Sequence, residues 1–287
     1  LTLANPFIAS ASPLTAELTS VKQLQQKGAA AVILPSLFEE SVARSGSVLN
    51  EYADKIKSYK DALDIPVIAS LNGITEGGWL ENAACLEQAG CDAIELNIYY
   101  IAASVKESSD QIERRYIDLV YKLRAQIGVP ISVKLTHQFS SVAHLVKRLE
   151  DTGVNGAVLF NRFYLPDIDV ESMTVMPSLQ LSNSNEALLR IRWIGLLRDQ
   201  VALSLSATGG MHTIDDALKA LLVGADSIQL CSVLFEKGID EIGHLRDRLE
   251  QWLEDNDHPG VAAIKGLMSY GRVADPSAFE RANYLQV

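Results

Sequence analysis

Residues 203–234 read LSLSATGGMHTIDDALKALLVGADSIQLCSVL, and this stretch decides the fold. An apolar run at 201–205 leads to the glycine pair Gly209-Gly210, and a second apolar run follows at 227–230. Between them a helix is predicted to begin near Thr213, because a threonine three residues before an aspartate can cap a first turn. The predicted order is strand, glycine turn, helix and strand, which is the repeating unit of parallel α/β folds.

The glycine pair also has a chemical meaning. Gly209 and Gly210 lack Cβ atoms, so their backbone amides can approach an anion closely and adopt dihedral angles that other residues avoid. Phosphate sites in (β/α)8 barrels are often built from the loops after strands seven and eight, so the position of this unit in the chain matters. The sequence therefore predicts a phosphate cradle, and an ordinary turn with two glycines is the alternative.

The composition excludes several classes of protein. A chain of 287 residues with 48% hydrophobic residues can bury a substantial core, either as one barrel or as two smaller domains. The formal charge of -11 argues against binding nucleic acid or an anionic membrane surface, because no basic face is available to neutralise phosphates. No apolar run approaches the roughly 20 residues of a membrane span, so we expect neither a membrane segment nor a secretory signal.

The cysteines indicate a reducing compartment. Cys85, Cys91 and Cys231 show neither a CxxC pair nor the spacing of a metal finger, which fits the cytoplasm better than a disulfide scaffold. We therefore expect a cytoplasmic protein without a metal site. Because the chain begins at Leu1 rather than Met, we also expect a few residues to precede it.

Short apolar runs alternate with predicted helices along the whole chain. Runs without polar alternation suit parallel strands that are buried on both faces. The eight runs lie at 6–11, 30–34, 66–70, 93–98, 130–135, 156–160, 201–205 and 227–230. Residues 37–51 are polar and are interpreted as an irregular loop, and residues 162–184 as a longer excursion. We predict one (β/α)8 TIM barrel over residues 1–287; a doubly wound sheet is the alternative, but it would usually place its glycine fingerprint after the first strand.

Function in such a barrel belongs at the carboxyl ends of the strands. Asparagine side chains there offer donors and acceptors that match the edges of a heteroaromatic ring, and a lysine ammonium can stabilise negative charge on it. Taken singly, an asparagine at a strand end is often only a turn former. The strand ends, in order, are Ala9-Ser10, Pro35-Ser36, Asn72-Gly73, Asn97 with Tyr99-Tyr100, Lys134 with His137, Asn161-Arg162, Gly209-Gly210 and Cys231-Ser232.

Lys134 is the strongest single candidate, because a lysine at the mouth of a buried strand needs an anionic or polar partner. A Schiff-base lysine is its alternative, since burial frees the amine as a nucleophile. His137 is interpreted as a solvent-facing loop residue rather than an acid or base. Arg162 could pair with a substrate carboxylate or with an aspartate of its own loop, Asp167 or Asp169, and the loop partner is preferred. Four aromatic residues at two strand exits could pack under a lid or stack on a substrate: Tyr99, Tyr100, Phe163 and Tyr164.

Taken together, these strand ends resemble the dihydroorotate dehydrogenase family of flavin barrels over nearly the whole chain. The order and spacing of five pieces match: NPFIASASP at 5–13, ELNI at 95–98, VKL at 133–135, FNR at 160–162 and the ATGG to SVL module at 207–234. The resemblance implies an FMN in the barrel mouth, with its phosphate at the glycine pair and Cys231-Ser232, and with Lys134 near the reducible edge of the ring. The residues that it implies for the cofactor are Ala9, Ser10, Ser36, Asn72, Asn97, Lys134, Asn161, Gly209, Gly210, Cys231 and Ser232.

The chain departs from this family at the catalytic base. Members that oxidise dihydroorotate carry a cysteine or serine three residues after the ELN asparagine and another asparagine soon after, whereas Tyr100 and Ala102 stand here. A phenol, with a reference pKa near 10, is a poor base at pH 7 but can donate a proton. The family's lysine after the second strand is replaced by Pro35. The chain instead resembles a divergent dihydroorotate dehydrogenase-like branch that shares SLFEE, SLNG, ELNIYY and FNRFYLPDID.

The resemblance implies an FMN-dependent oxidoreductase that passes hydride between a small, planar or unsaturated organic substrate and the flavin. Lys134 and Tyr100 are the expected catalytic residues, and the departures put dihydroorotate and pyrimidine biosynthesis in question. Two alternatives stay open: a non-catalytic or partner-regulated flavin-binding protein, and a flavin-free phosphate-binding lyase or isomerase that works through Lys134. The expected partners are the small-molecule substrate, an unidentified electron acceptor and a second copy of the chain in a homodimer.

Overall fold

Strands and helices alternate along the chain, which a computed structural model describes at residues 1–73, 78–162 and 165–280. The strands are β1 (Phe7–Ala9), β2 (Ala31–Ile33), β3 (Leu37–Phe38), β4 (Val67–Asn72), β5 (Ala93–Asn97), β6 (Ile131–Leu135), β7 (Gly156–Leu159), β8 (Leu165–Asp169), β9 (Thr174–Ser178), β10 (Ser204–Thr208) and β11 (Ser227–Leu230). The α-helices are α1 (Leu18–Gln26), α2 (Glu39–Arg44), α3 (Ser47–Ala62), α4 (Trp79–Gln88), α5 (Ser109–Gln126), α6 (Val142–Asp151), α7 (Ala187–Leu197), α8 (Ile214–Val223), α9 (Ser232–Lys237), α10 (Glu241–Asp255) and α11 (Val261–Ile264). Short 3-10 helices lie at Pro13–Thr15, Ser184–Glu186 and Pro276–Phe279.

Eight of the strands close into a parallel barrel. Around the ring run β1, β2, β4, β5, β6, β7, β10 and β11, and the pairing of β11 with β1 closes it. β3 lies on β4 beyond the end of β2, with Leu37 opposite Leu71. The prediction of one (β/α)8 TIM barrel is confirmed.

Side chains alternate between the barrel interior and the layer of helices, because successive residues of a strand point to opposite faces. Outward-facing residues such as Phe7, Val32 and Ile94 belong to the main core between strands and helices. Burying one such side chain stabilises the fold by about 1.5–3 kcal/mol. The interior holds a separate and smaller apolar cluster, which consists of Ile8, Ala31, Ile33, Ile68 and Ala93. The cluster is small, and polar side chains occupy the barrel interior beside it.

The prediction of an irregular loop at residues 37–51 is wrong. This stretch forms β3, α2 and the first residues of α3. Helix α2 carries Glu39 and Glu40 in its first turn and Arg44 in its last turn, an arrangement that the helix dipole favours. Helix α3 begins at Ser47. Polar surface helices this short show no apolar stripe, so polarity alone does not distinguish them from a loop.

The seventh barrel strand lies further along the chain than predicted. β10 spans Ser204–Thr208, whereas the prediction placed the strand at 201–205. Leu205 and Ala207 pack in the main core, while Ser204 and Ser206 line the inside of the barrel. The strand therefore alternates apolar and polar residues, and the uninterrupted apolar run marks only the approach to it.

The excursion predicted at 162–184 contains a β-hairpin. β8 and β9 pair antiparallel, with Ile168 opposite Val175. These two side chains are 65% and 72% exposed, so they do not contribute to the core. Phe163 and Tyr164, which precede the hairpin, lie outside the described residues.

Two sequence expectations concern the whole chain. Within residues 1–73, 78–162 and 165–280, no helix combines the length and the apolar composition that crossing a membrane requires. In the same described ranges, no group of three or more His, Cys, Asp and Glu side chains is placed to hold a metal ion.

Candidate functional site

The carboxyl ends of neighbouring strands bring four of the predicted residues into one row. Asn72 ends β4 opposite Asn97, which ends β5, and Asn97 lies opposite Lys134 of β6. Asn161, two residues after β7, donates a hydrogen bond from Nδ2 to Oδ1 of Asn97 at 2.7 Å. The row therefore carries amide groups beside an ammonium group across four consecutive barrel strands.

Lys134 points into the barrel, where a buried polar network holds its ammonium group. Nζ of Lys134 lies 3.2 Å from Oε1 of Glu95 and 3.4 Å from Oγ of Ser10 and Oε1 of Gln229. Gln229 in turn donates from Nε2 to Oε2 of Glu95 at 2.6 Å, and it accepts from Ser10 Oγ at 3.2 Å. Glu95 is fully buried, so its charge and that of Lys134 compensate each other inside the barrel.

Two further predicted residues lie near this network without a bond to Lys134 among the described hydrogen bonds. Ala9 ends β1 and its side chain is fully buried in the main core, so only its backbone could serve a ligand. Ser36 shares a 2.8 Å hydrogen bond between hydroxyl groups with Ser70 of β4. Ser36 is thus tied to the strand that carries Asn72.

The glycine pair after β10 has a geometry that other residues would not adopt. Gly209 and Gly210 have φ angles of +82° and +87°, in the left-handed region. A Cβ on Gly210 would lie 2.2 Å from the backbone nitrogen of Ala187, and a Cβ on Gly209 would lie 2.8 Å from Nη2 of Arg190. Both positions therefore require glycine for conformation and for space.

Two arginines converge on this glycine turn. Arg190 of α7 is 4% exposed and donates from Nε to the carbonyl of Thr208 at 2.9 Å. Burial lowers the pKa of the Arg190 guanidinium, Glu186 raises it, and the like charge of Arg162 lowers it. Two close guanidinium groups beside backbone amides attract an anion, although the protein as a whole is acidic.

The partner of Arg162 differs from the expected one. Its Nε donates to Oε2 of Glu186 at 2.9 Å and its Nη1 to the carbonyl of Gln180 at 2.6 Å. The preferred prediction, a pair with Asp167 or Asp169, is wrong because these carboxylates accept hydrogen bonds from backbone amides of the hairpin instead. The 3-10 helix before α7 brings Glu186 to the arginine across the loop.

Ser182 joins the loops that follow β10 and β11. Its backbone nitrogen donates to Oγ of Ser232 at 3.0 Å, and its own Oγ accepts from the nitrogen of Gly210 at 3.1 Å. The same Oγ lies 3.0 Å from Nε2 of His212, and Nδ1 of His212 lies 3.1 Å from Oε2 of Glu236. The two predicted phosphate loops are thus held at a fixed spacing by a buried polar network.

The helix predicted after the glycine pair begins as expected. Thr213 precedes α8 and accepts from the nitrogen of Asp216 through its hydroxyl oxygen at 3.2 Å, while Asp216 accepts from the nitrogen of Thr213 at 2.9 Å. This reciprocal capping box satisfies amide groups that a helix start leaves open. It also fixes the direction in which the chain leaves Gly210.

Burial raises the pKa of the Cys231 thiol, while the positive charges of Lys134 and Arg162 act to lower it. The thiol is therefore influenced by two cations, Lys134 in the amide row and Arg162 at the glycine turn. Cys231 directly precedes Ser232 at the start of α9. Asn161 of the amide row also directly precedes Arg162, whose Cδ lies 3.4 Å from the position of a Cβ on Gly209, so the amide row and the anion cradle adjoin at the mouth of the barrel.

Tyr100 is held by residues at the beginning of α5. Its hydroxyl donates to Oε2 of Glu107 at 2.5 Å, and Nη2 of Arg115 lies 2.6 Å from the other oxygen of Glu107. The guanidinium carbon of Arg115 stands 4.5 Å from the centre of the tyrosine ring. The hydrogen bond from Tyr100, followed by that from Arg115, lowers the pKa of the Glu107 carboxyl. The described contacts of Tyr100 are thus with Glu107 and Arg115, at and before α5, and not with Lys134.

His137 is exposed, as interpreted from the sequence. Its ring meets that of Phe160 edge to face, with 6.0 Å between the centroids. Burial and the charge of Arg190 lower its pKa. His137 therefore contacts the wall of the mouth.

A cavity of about 600 Å³ opens at the other end of the barrel. Its lining includes Asn155, Ser204 and Asp226, which lie at or before the starts of strands, together with Glu95 and Gln229 at its upper end. Barrel chemistry resides at the carboxyl ends of strands, so the functional site is assigned to the mouth, and the buried network separates it from this cavity.

The donor set at the mouth fits a flavin mononucleotide. Glycine amides that allow close approach, the Ser232 hydroxyl and two arginines suit a phosphate dianion. The amides of Asn72, Asn97 and Asn161 and the ammonium of Lys134 suit the polar edge of a heteroaromatic ring. Glu186 lies 2.9 Å from Arg162 and 3.7 Å from Arg190, so it shares the two arginines with any anion bound there.

Sequence reasoning missed several residues of this site. Glu95 and Gln229 lie inside the apolar strands AIELN and SIQL, and Arg190 lies inside the apolar helix ALLRIRW. A charged or amide residue within an apolar run is a visible signal, since a buried polar group needs a partner. Ser182 and His212 carry no comparable signal in the sequence.

Comparison with known proteins places this geometry in a family. The sequence profile described as "Dihydroorotate dehydrogenase" matches residues 41–253. A "Dihydroorotate dehydrogenase A (fumarate)" from Lactobacillus delbrueckii subsp. bulgaricus is 27% identical over 232 residues, which cover 76% of this chain and 75% of that protein. A "Dihydroorotate dehydrogenase B (NAD(+)), catalytic subunit" from Thermoplasma acidophilum is 22% identical over 291 residues, covering 92% and 95% of the two chains.

A second B-type catalytic subunit, from Shouchella clausii, is 27% identical over 203 residues, 66% of each chain. The profile match alone includes Asn72, Lys134 and the glycine turn. By the arrangement of its barrel mouth and by these matches, the chain belongs to the dihydroorotate dehydrogenase family.

Proposed function

We propose that this protein is an FMN-dependent oxidoreductase that acts on a small, planar or unsaturated organic substrate. The observation that carries the proposal is the junction of an anion cradle with the Lys134 row, since a flavin mononucleotide needs both a phosphate site and a polar ring site. At this junction Asn161 of the row directly precedes Arg162, whose Cδ lies 3.4 Å from the position of a Cβ on Gly209. When bound, FMN supplies a two-electron acceptor for a C–H hydride.

Each group at the mouth has a role in this proposal. Gly209 and Ser232 hold the phosphate through an amide and a hydroxyl donor, with Arg190 and Arg162 as counter-charges. Gly210, whose amide donates to Ser182, allows the close approach of the turn to the phosphate. Lys134 stabilises negative charge that builds up on the reduced ring. The remaining contacts with the ring or an adjacent substrate are assigned to Ala9, Ser10, Ser36, Asn72, Asn97, Asn161 and Cys231.

Tyr100 is proposed as the proton-transfer group. Its hydroxyl donates a hydrogen bond to Glu107, which orients the phenol together with Arg115. Because a phenol is a poor base at pH 7 but can donate a proton, Tyr100 would act as a proton donor once its hydroxyl turns from Glu107 to the substrate. Dihydroorotate is not the substrate that we favour, because Tyr100 and Ala102 replace the groups that the family uses for it.

The buried ion pair favours a flavin enzyme over the Schiff-base alternative. Nζ of Lys134 is occupied by a salt bridge of 3.2 Å to Glu95 and by contacts with Ser10 and Gln229, so it is not free to attack a carbonyl group. A lyase would need the neutral amine. Treatment with borohydride and a carbonyl substrate should therefore leave Lys134 without an adduct.

The electron acceptor and the cellular compartment are further parts of this proposal. Relatives are named for fumarate and for NAD(+), and the latter are called catalytic subunits, so we propose that reduced protein be tested with both acceptors. The cysteines described in the structure are free, as expected of a cytoplasmic protein.

The decisive experiment is the visible absorption spectrum of the purified protein, followed by identification of any chromophore that denaturation releases. Two flavin bands and free FMN are expected, and anaerobic addition of candidate substrates should bleach the bands. A colourless protein that takes up no added FMN would overturn the proposal. Bound FMN that no small molecule reduces, but that changes affinity for a partner protein, would favour the non-catalytic alternative.

A further inference from the structure

The proposed roles leave the buried carboxylate of Glu95 unexplained. Glu95 is 0% exposed, at the middle of a barrel strand, where an unpaired charge would be strongly destabilising. One oxygen lies 3.2 Å from Lys134 Nζ and the other accepts a 2.6 Å hydrogen bond from Gln229. A neutral pair of residues could fill the same space, and such replacements are often neutral or stabilising. Packing alone therefore does not explain why a charged pair is buried inside this barrel.

Gln229 fixes the geometry of the pair. Its Nε2 hydrogen is committed to Glu95, and this sets its Oε1 towards Lys134 and Ser10. The ammonium is therefore surrounded by three oxygen acceptors that come from three other strands or strand ends. Neither the carboxylate nor the ammonium can reorient without breaking bonds to Gln229.

The charge of Lys134 acts on groups at the mouth of the barrel, above the ion pair. Lys134 acts on the pKa of the Cys231 thiol, which neighbours Ser232 of the anion cradle. Lys134 also lies opposite Asn97 in the amide row. An ammonium with its carboxylate adds no net charge beneath the mouth, whereas an ammonium alone would add one positive charge in a medium of low dielectric constant.

We propose that Glu95, oriented by Gln229, is a positioning residue that sets the effective charge of Lys134 and thereby the reduction potential of the bound flavin. This inference rests on the proposed function. Reduced flavin carries more negative charge than oxidised flavin, so a net positive charge beneath it favours the reduced form. Glu95 offsets that charge and holds the flavin potential lower than Lys134 alone would set it.

The test uses two substitutions that weaken the compensation of Lys134 by different routes. Glu95→Gln removes the negative charge with little change in shape, and Gln229→Met keeps both charges but removes the amide that orients the carboxylate. In the FMN-loaded protein, Glu95→Gln is expected to increase the ratio of reduced to oxidised FMN affinity about tenfold, and Gln229→Met to increase it by a smaller factor, because the carboxylate stays in the barrel. A tenfold change corresponds to about 30 mV in a two-electron midpoint potential.

Glu113→Gln is the matched control. Glu113 is also a buried glutamate, 3.4 Å from Nη1 of Arg148, but it lies on α5 outside the barrel. This variant should leave the potential unchanged. Folding of every variant is checked by circular dichroism, and Gln229→Met keeps the test decisive if Glu95→Gln does not fold.

The outcomes separate the two proposals. A higher potential in both barrel variants, with the larger rise in Glu95→Gln and none in the control, supports the inference. FMN bound by all variants with the same potential, or a lower potential in either barrel variant, would overturn the inference and leave the proposed function standing. A wild-type protein that binds no FMN would remove both.

Discussion

Gly210 shows how closely one residue can be constrained by its neighbours. We expect Gly210→Ala to destabilise the protein by about 1–2 kcal/mol through its left-handed backbone. The Cβ placed 2.2 Å from the Ala187 nitrogen should add on the order of 1–3 kcal/mol. Gly238→Ala is the control, because Gly238 has the same φ of +87° but no atom within 4 Å of its Cβ position. Urea unfolding should show the larger loss for Gly210→Ala; equal losses would show that the loop relaxes without cost.

Glu107 should give the protein a measurable dependence on acid. Its carboxyl has a lowered pKa in the folded protein because Tyr100 and Arg115 bond to the ionised form. The stabilisation is therefore complete above the ordinary glutamate pKa and is lost as the pH falls through the lowered value. Glu107→Gln should be less stable than wild type at pH 7, and the difference should shrink towards acid pH. Thermal melts across this range, with the exposed Glu254→Gln as control, check it; a constant difference would contradict the pairing.

For single residues, the sequence predicted which side chains lie at the strand ends better than it predicted which residues they bond to. Asn72, Asn97 and Lys134 could be named because parallel strands bring their carboxyl ends together. Glu95 and Gln229 were missed because apolar runs were treated as uniformly apolar. The Glu186 partner of Arg162 could not be foreseen, since it depends on how a long loop folds back.

At the scale of elements, α8 depends on the cap that also directs the glycine loop. Thr213→Ala removes one half of the capping box and should destabilise the protein by about 1 kcal/mol. Thr213→Ser retains the hydroxyl and should restore most of the loss. Urea unfolding measures both variants. If both are as stable as wild type, packing of α8 and not its cap determines the helix start.

Element prediction succeeded where periodicity and strand composition agreed. α8 begins directly after Thr213, as predicted, and each of the eight predicted apolar runs lies on or beside a barrel strand. The prediction of a loop at residues 37–51 failed because short polar helices lack an apolar stripe. The strand predicted at 201–205 lies further along the chain because serines of β10 face the barrel interior. Tertiary surroundings, which the sequence does not state locally, decided both cases.

For the molecule as a whole, cofactor binding should appear as stability. A ligand at about 100 times its dissociation constant stabilises the folded state by about 2.7 kcal/mol. FMN should therefore raise the melting temperature, and riboflavin, which lacks the phosphate, should raise it less at equal concentration. Calorimetry with both compounds checks this; equal shifts would show that Gly209 and Ser232 do not bind the phosphate. The homodimer stays a prediction, and light scattering during the same preparation measures it.

The interior pair of Glu95 and Lys134 also limits how this barrel can diverge. Either residue alone would leave a buried charge without its partner, which typically destabilises a protein by about 3–5 kcal/mol. That loss is comparable with the whole stability of a small domain, so we expect no lineage to replace one of the two residues before the other. Among relatives of this chain, the two positions should therefore change together or not at all, and their joint loss would mark a lineage whose chemistry has also changed.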